Sequence, residues 1–200
     1  MLTDLLKNIK FKNKIKEFYK KNREDMVDII LFGSVSRGKT APKDIDILLI
    51  FNEKENNDLS YGLRKDLQEL GISAEITIKK YKDVFSSGFL PREDILSDGF
   101  SLISNKRISE AFGYKSFMLF KYSLKGFNYS QRMRFYYALE GRRDKKGMLK
   151  EMNGIKFTNS VVLVPVGFSD KFEAFLNGWN IEIKKTRILI PDKSVTFMKF

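Results

Sequence analysis

Phe32-Gly33-Ser34-Val35-Ser36-Arg37-Gly38, followed by Asp44-Ile45-Asp46-Ile47, is the stretch that decides the reading of this chain. Upstream of it, Met26 to Phe32 (MVDIILF) is a β-rich aliphatic run and reads as a buried strand that Gly33 stops. Downstream, Ile45 to Phe51 (IDILLIF) reads as a second strand. Residues 34–43 between them are a polar turn with a short helix, ending at Pro42. Side chains two apart in a strand share a face, so Asp44 and Asp46 are expected to project together while Ile45 points into the core. Adjacent carboxylates repel and raise each other's pKa. Such a pair is tolerable when exposed and useful when a divalent cation lies between the groups. Two bound cations can activate an attacking oxygen and stabilise the leaving oxygen of a phosphoryl transfer. Gly33-Ser34 at a strand end lets backbone amides approach a phosphate closely, and a helix starting there adds a favourable dipole. Ser34 supplies a hydroxyl donor, and Arg37 supplies charge-assisted bonds to phosphate oxygens.

Working outward, residues 59–70 read as a helix stopped by Gly71. Residues 73–78 (SAEITI) read as a third, alternating strand. A third carboxylate is expected from a neighbouring strand. Glu75, charged in the middle of that apolar strand, is a better candidate than Asp83 in a polar stretch. Residues 2–22 form an irregular helical stripe among lysines, and residues 90–102 read as a helix start, with Pro91 and the acidic Glu93 and Asp94. The composition changes near residues 104–113, which predicts two domains, 1–108 and 109–200.

In the second domain, residues 114–125, 129–142 and 144–152 read as three helices. Two strands follow at 155–158 and 161–166, then a helix to Trp179 and a last strand or strand pair over 181–190. Three helices and a two-stranded ribbon predict a winged-helix-like module over residues 115–166. Its third helix would carry Lys145, Lys146 and Lys150, with Arg142 and Arg143 on the approach, and would suit a major groove.

Composition narrows the chemistry. The sequence has neither cysteine nor histidine, which excludes disulfides, thiolate sites, Ser-His-Asp catalysis and His-based zinc sites. Any metal must be held by oxygen, which favours Mg²⁺ or Mn²⁺. The net charge is +12. Residues 101–200 hold 19 Lys and Arg against 8 Asp and Glu, so nearly all of the excess lies there. That half suits a polyanionic partner such as nucleic acid. No apolar run approaches the roughly 20 residues of a membrane span, and the Lys-rich start does not read as a signal peptide. The expected location is cytoplasmic, with no membrane partner.

The stretch from Gly33 to Asp46 resembles the signature of the polymerase-beta-type nucleotidyltransferases, particularly small bacterial and archaeal members. That signature is a hydrophobic residue and Gly-Ser, a spacer, then acidic-hydrophobic-acidic-hydrophobic. Here nine residues separate Ser34 from Asp44. Gly33 to Gly38 reads Gly-Ser-x-x-Arg-Gly as small members do, and Ile95-Leu96-Ser97-Asp98-Gly99 resembles the end of their domain. The resemblance spans residues 25–104. It implies an α+β fold, a small mixed β-sheet with flanking helices, ahead of the basic second module. It implies Asp44 and Asp46 as ligands of two Mg²⁺, with Ser34 and Arg37 at the triphosphate. The third acid, often Asp in the family, is Glu75 here, and its longer reach suits a base that activates the acceptor hydroxyl. The implied reaction moves a nucleoside monophosphate from an NTP, ATP by default, to an acceptor hydroxyl on a nucleic acid or a protein. The alternative is a nucleic-acid-binding regulator whose transferase fold is vestigial.

Overall fold

The computed structural model describes residues 2–39 and 42–196. The chain divides into two compact units, Met1–Phe112 and Gly113–Phe200.

The first unit opens with two helices, α1 (Leu2–Lys7) and α2 (Ile9–Asn22). The single stripe read over 2–22 is broken at Asn8, whose side chain caps α2 by accepting from the Phe11 amide at 3.1 Å. Phe11, Ile15 and Phe18 form the buried face of α2. Then come β1 (Met26–Phe32), the single turn α3 (Gly33–Ser36), β2 (Ile45–Phe51), α4 (Asn57–Glu69) and β3 (Ala74–Lys80). The unit ends with α5 (Tyr81–Val84), α6 (Arg92–Asp98), β4 (Phe100–Ser101), β5 (Lys106–Arg107) and α7 (Ile108–Ala111). The helix expected over 90–102 is therefore shorter. Its chain turns at Gly99, where a side chain would run into the Ile95 carbonyl, and pairs onward as β4.

The five strands form one sheet in the order β3-β2-β1-β4-β5. β2 and β3 are parallel and joined by α4, while every other pair is antiparallel. This is the mixed sheet with flanking helices that the sequence predicts. Both faces are covered. Ile29, Leu31, Ile47, Leu49 and Phe51 pack with α2 and α4, and Ile30, Leu48 and Ile50 pack with Val84, Phe89 and Ile95. Burial on both faces is why MVDIILF and IDILLIF are near-continuous apolar runs. Alternation along β2 places Asp46 on the Leu48–Ile50 face, at the start of the strand.

The second unit starts with β6 (Tyr114–Ser123), then α8 (Tyr129–Glu140), β7 (Gly141–Arg142), β8 (Lys145–Lys146) and α9 (Met148–Glu151). It continues with β9 (Ile155–Thr158), β10 (Val161–Pro165), a 3₁₀ turn (Val166–Phe168), α10 (Ser169–Gly178), β11 (Glu182–Pro191) and α11 (Asp192–Val195). Four of these strands form an antiparallel sheet in the order β11-β6-β10-β9.

The winged-helix expectation fails at its first element. Residues 114–123 are a strand paired on both sides, so the run of three helices does not form. Met118, Phe120 and Tyr122 pack on one face, while Phe117 and Leu119 pack on the other. A strand apolar on both faces loses the alternation that marks strands, and periodicity alone then does not tell it from a buried helix segment. The third helix also shrinks to the single turn α9. Arg142, Lys145 and Lys146 lie in a tight two-stranded hairpin with Arg143 at its tip, and only Lys150 is helical.

Candidate active site

The end of the first sheet where β1 finishes and the parallel strands β2 and β3 begin gathers the predicted acidic residues. Phe32 pairs with Asp46 across β1 and β2, so Gly33 leaves the sheet beside Asp46. Gly33 has φ +72, a conformation in which L side chains are strained. It also lies directly under the Asp46 carboxylate. A Cβ at position 33 would strike Asp46 Oδ2 and come within 2.8 Å of Cγ. Glycine is thus required twice, for the turn and for the carboxylate lodged against it. α3 is a single helical turn, too short for the macrodipole expected from sequence. The first amides of such a turn still have no acceptor within it, and Ser34 is half-buried beside them.

Asp44 is exposed on the bend just before β2, so the strand alternation expected to align it with Asp46 does not extend to it. Glu75 pairs with Asp46 in the parallel register of β2 and β3 and is exposed. Asp83 lies in α5, beyond the opposite end of β3. The Asp46 carboxyl is pushed above the usual aspartate range, first by burial and then by repulsion from Asp44 and Glu75, with Arg37 opposing. Asp46 therefore feels the charges of the other three side chains. Among the described residues, no three acidic side chains converge closely enough to form a ready-made metal cage.

Arg37 sits at the C-terminus of α3 and donates to Asp98 Oδ2 at 3.2 Å. Asp98 is fully buried, and its other oxygen accepts from the Ser97 hydroxyl at 2.9 Å. Sequence reading missed the rest of this latch. The Ser36 hydroxyl donates to the Asp98 carbonyl. Arg107 donates to the Ser36 carbonyl at 3.1 Å, to the Asp98 carbonyl at 3.1 Å and to Ser36 Oγ at 3.3 Å. Burial lowers the Arg107 pKa, against the attraction of Asp98 and Glu110, and leaves a guanidinium committed to three oxygens. The latch ties the Gly33–Arg37 turn to the end of α6 and to β5. Its only sequence trace is the Ser97-Asp98-Gly99 resemblance, because nothing local marks Arg107 as the partner of a serine 71 residues earlier.

The predicted cationic residues of the second unit are separate from this site in sequence and all exposed. Arg142, Arg143, Lys145 and Lys146 occupy the β7–β8 hairpin, and Lys150 lies on α9.

At this end of the mixed sheet a Gly-Ser turn thus lies beside acidic residues, with an arginine latched under the turn. Residues 13–108, nearly the whole of the first unit, match the family described as polymerase beta nucleotidyltransferase. Solved structures are similar over part of their length. One is a crystal structure of a toxin–antitoxin with AMP-PNP, 22% identical, covering 46% of this chain and 71% of that one with a TM-score of 0.37. Another is a tri-AMPylated Shewanella oneidensis HEPN toxin in complex with MNT antitoxin, 24% identical, covering 46% and 67% with a TM-score of 0.33. No curated protein matches the chain in sequence. Among the described residues, no helix is long and apolar enough to cross a membrane.

Proposed function

We propose that the first unit transfers a nucleoside monophosphate from an NTP, ATP as the default donor, to an acceptor hydroxyl and releases pyrophosphate. The observation that carries this reading is the Asp46 carboxylate lodged against Gly33, with Asp44 and Glu75 repelling it from the same end of the sheet. Like charges gathered at a half-buried position favour a cation among them. Three oxygen donors and no histidine or cysteine suit Mg²⁺ or Mn²⁺. Asp44, Asp46 and Glu75 would hold the metal. When bound, it neutralises charge on the triphosphate and on the oxygens exchanged in line at the α-phosphorus.

The remaining roles fall to the chain itself. The α3 amides and the Ser34 hydroxyl receive phosphate oxygens. Arg37, oriented by Asp98, brings a positive charge to the same turn. Glu75, on the strand next to Asp46, accepts the proton of the acceptor hydroxyl as that oxygen attacks phosphorus. The acceptor belongs to a nucleic acid or a protein.

The test is label transfer. The purified chain is incubated with α-labelled NTPs, Mg²⁺ or Mn²⁺, and RNA, DNA or protein acceptors. Label should appear on an acceptor from at least one NTP, and Asp44→Asn with Asp46→Asn should abolish it. Absence of transfer from every NTP, or undiminished transfer by the double variant, overturns the proposal.

A further inference from the structure

Outside the acidic site, the most unusual backbone in the described residues lies at 141–147 (GRRDKKG). Gly141 has φ +99, and a Cβ there would collide with the Lys145 carbonyl and come within 2.7 Å of the Gly147 amide. A Cβ at Gly147 would collide in turn with the Gly141 amide and the Leu139 carbonyl. Two glycines thus press backbone to backbone and pinch the base of the hairpin. Both ends of the pinch are anchored, through Leu139 of α8 and Leu149 of α9, which are buried in the same apolar cluster. What is held this firmly is a tip of exposed cations. Arg142, Arg143, Lys145 and Lys146 surround a single acid, Asp144, and Lys150 follows on α9. None of the five has a carboxylate partner among the described residues. The Arg142 guanidinium is instead fixed over the Tyr137 ring, 4.7 Å from its centroid.

Arg143 adds the clearest pointer. It has φ +53, a left-handed conformation that Gly or Asn would adopt with less strain. Folding alone would favour another residue there. The chain keeps a fifth long cation in the pinched segment and its flank, and does so in the half that carries nearly all the excess charge.

We propose that the β7–β8 hairpin grips the phosphodiester backbone of a nucleic acid. A two-stranded ribbon is narrow enough to enter a duplex groove, and cations on such a ribbon can meet phosphates on both sides of it. A rigid base limits the ordering cost of binding. In this proposal the carrier of the basic cluster is a hairpin rather than the recognition helix expected from sequence.

The test needs neither nucleotide nor metal, so its outcome is independent of transferase activity. Anisotropy of labelled duplex DNA, single-stranded DNA, duplex RNA and single-stranded RNA is titrated with the full chain at several salt concentrations. The variant R142Q/R143Q/K145Q/K146Q should bind at least about 10-fold more weakly, and its slope of log K against log salt should fall by roughly 3, given about 0.7–0.9 per cation. A control neutralising Lys10, Lys12, Lys16 and Lys20, exposed on α2, should change binding less than about 2-fold. Arg143→Gly should weaken binding while raising the unfolding temperature by roughly 2–4 °C, as expected when a strained residue is relieved in a chain of this size. The four nucleic-acid arms distinguish duplex from single-strand targets. Equal losses in the hairpin and α2 sets, no binding in any arm, or hairpin-dependent binding to anionic lipid vesicles instead of nucleic acid would overturn the proposal.

Discussion

Glycine shapes both charged regions of this chain, with opposite results. Gly33 leaves room for a carboxylate to sink against the backbone, so Asp46 is half-buried, repelled by two other acids and perturbed in its ionisation. Gly141 and Gly147 close a gap between backbones at the base of a hairpin whose four cations, with Lys150 after them, are exposed. Charges drawn inward at close quarters are suited to chemistry, because their energies respond strongly to a cation or a proton. Charges held outward are suited to binding, because each acts on a distant polyanion through a screened field. The contrast makes a specific demand: removing charge should cost activity but not stability at the first site.

The largest expected effect tests that demand. Asp46→Asn keeps the shape of the side chain and removes its charge. Transfer should fall by about 10²–10³-fold, the usual scale for loss of one group that organises transition-state charge. Stability at neutral pH should be unchanged or slightly higher, because burial and the repulsion from Asp44 and Glu75 are relieved. A clear drop in unfolding temperature would mean that the carboxylate is structural, and the comparison would break.

Next in size is the glycine itself. Gly71, at the end of α4, has φ +73 and open space around its Cα, so Gly71→Ala should cost only the left-handed conformation, about 1–2 kcal/mol. Gly33 has nearly the same φ but lies under Asp46. Gly33→Ala should cost more than Gly71→Ala in chemical denaturation and should also abolish most transfer by displacing the carboxylate. Equal costs for the two variants, with transfer retained, would show that the close approach is unimportant.

These residues also show how far sequence carries. The strands around Gly33 were legible because both are bounded by turn residues and packed on both faces, and Asp46 followed from strand alternation. The single turn of α3 and the pairing of Glu75 with Asp46 depend on register, which the order of strands suggests but local sequence does not set. Arg107 was illegible for a related reason. Its three acceptors are two backbone carbonyls and a hydroxyl, and no side-chain pattern announces a carbonyl. In the second unit, the apolar stretch from Phe117 to Phe120 hid a strand because both of its faces are buried. The basic cluster was visible as charge, but its geometry was decided by two glycines six residues apart, whose backbone contact appears only once the hairpin has formed.

The smallest effect sharpens the electrostatics of the acidic site. The folded-state pKa of Asp46 is raised, so protonating it favours the folded chain. Its contribution to stability is fully present below the ordinary aspartate value and is lost as pH rises through the raised one. With chelator present, unfolding temperatures of the parent and of Asp46→Asn should therefore converge at low pH and separate as pH rises toward neutrality, the variant being the more stable. The gap should not exceed about 1 kcal/mol, because the site is open enough for water to screen it. Glu75→Gln in the parent should close part of this gap at neutral pH and none of it at low pH. Asp44→Asn should close more, since Asp44 outranks Glu75 among the causes of the shift. Burial ranks above both and should survive either substitution, so neither variant should close the gap fully. A gap that does not change with Glu75→Gln would place Glu75 outside the cluster and leave the base assigned to it without an electrostatic footing.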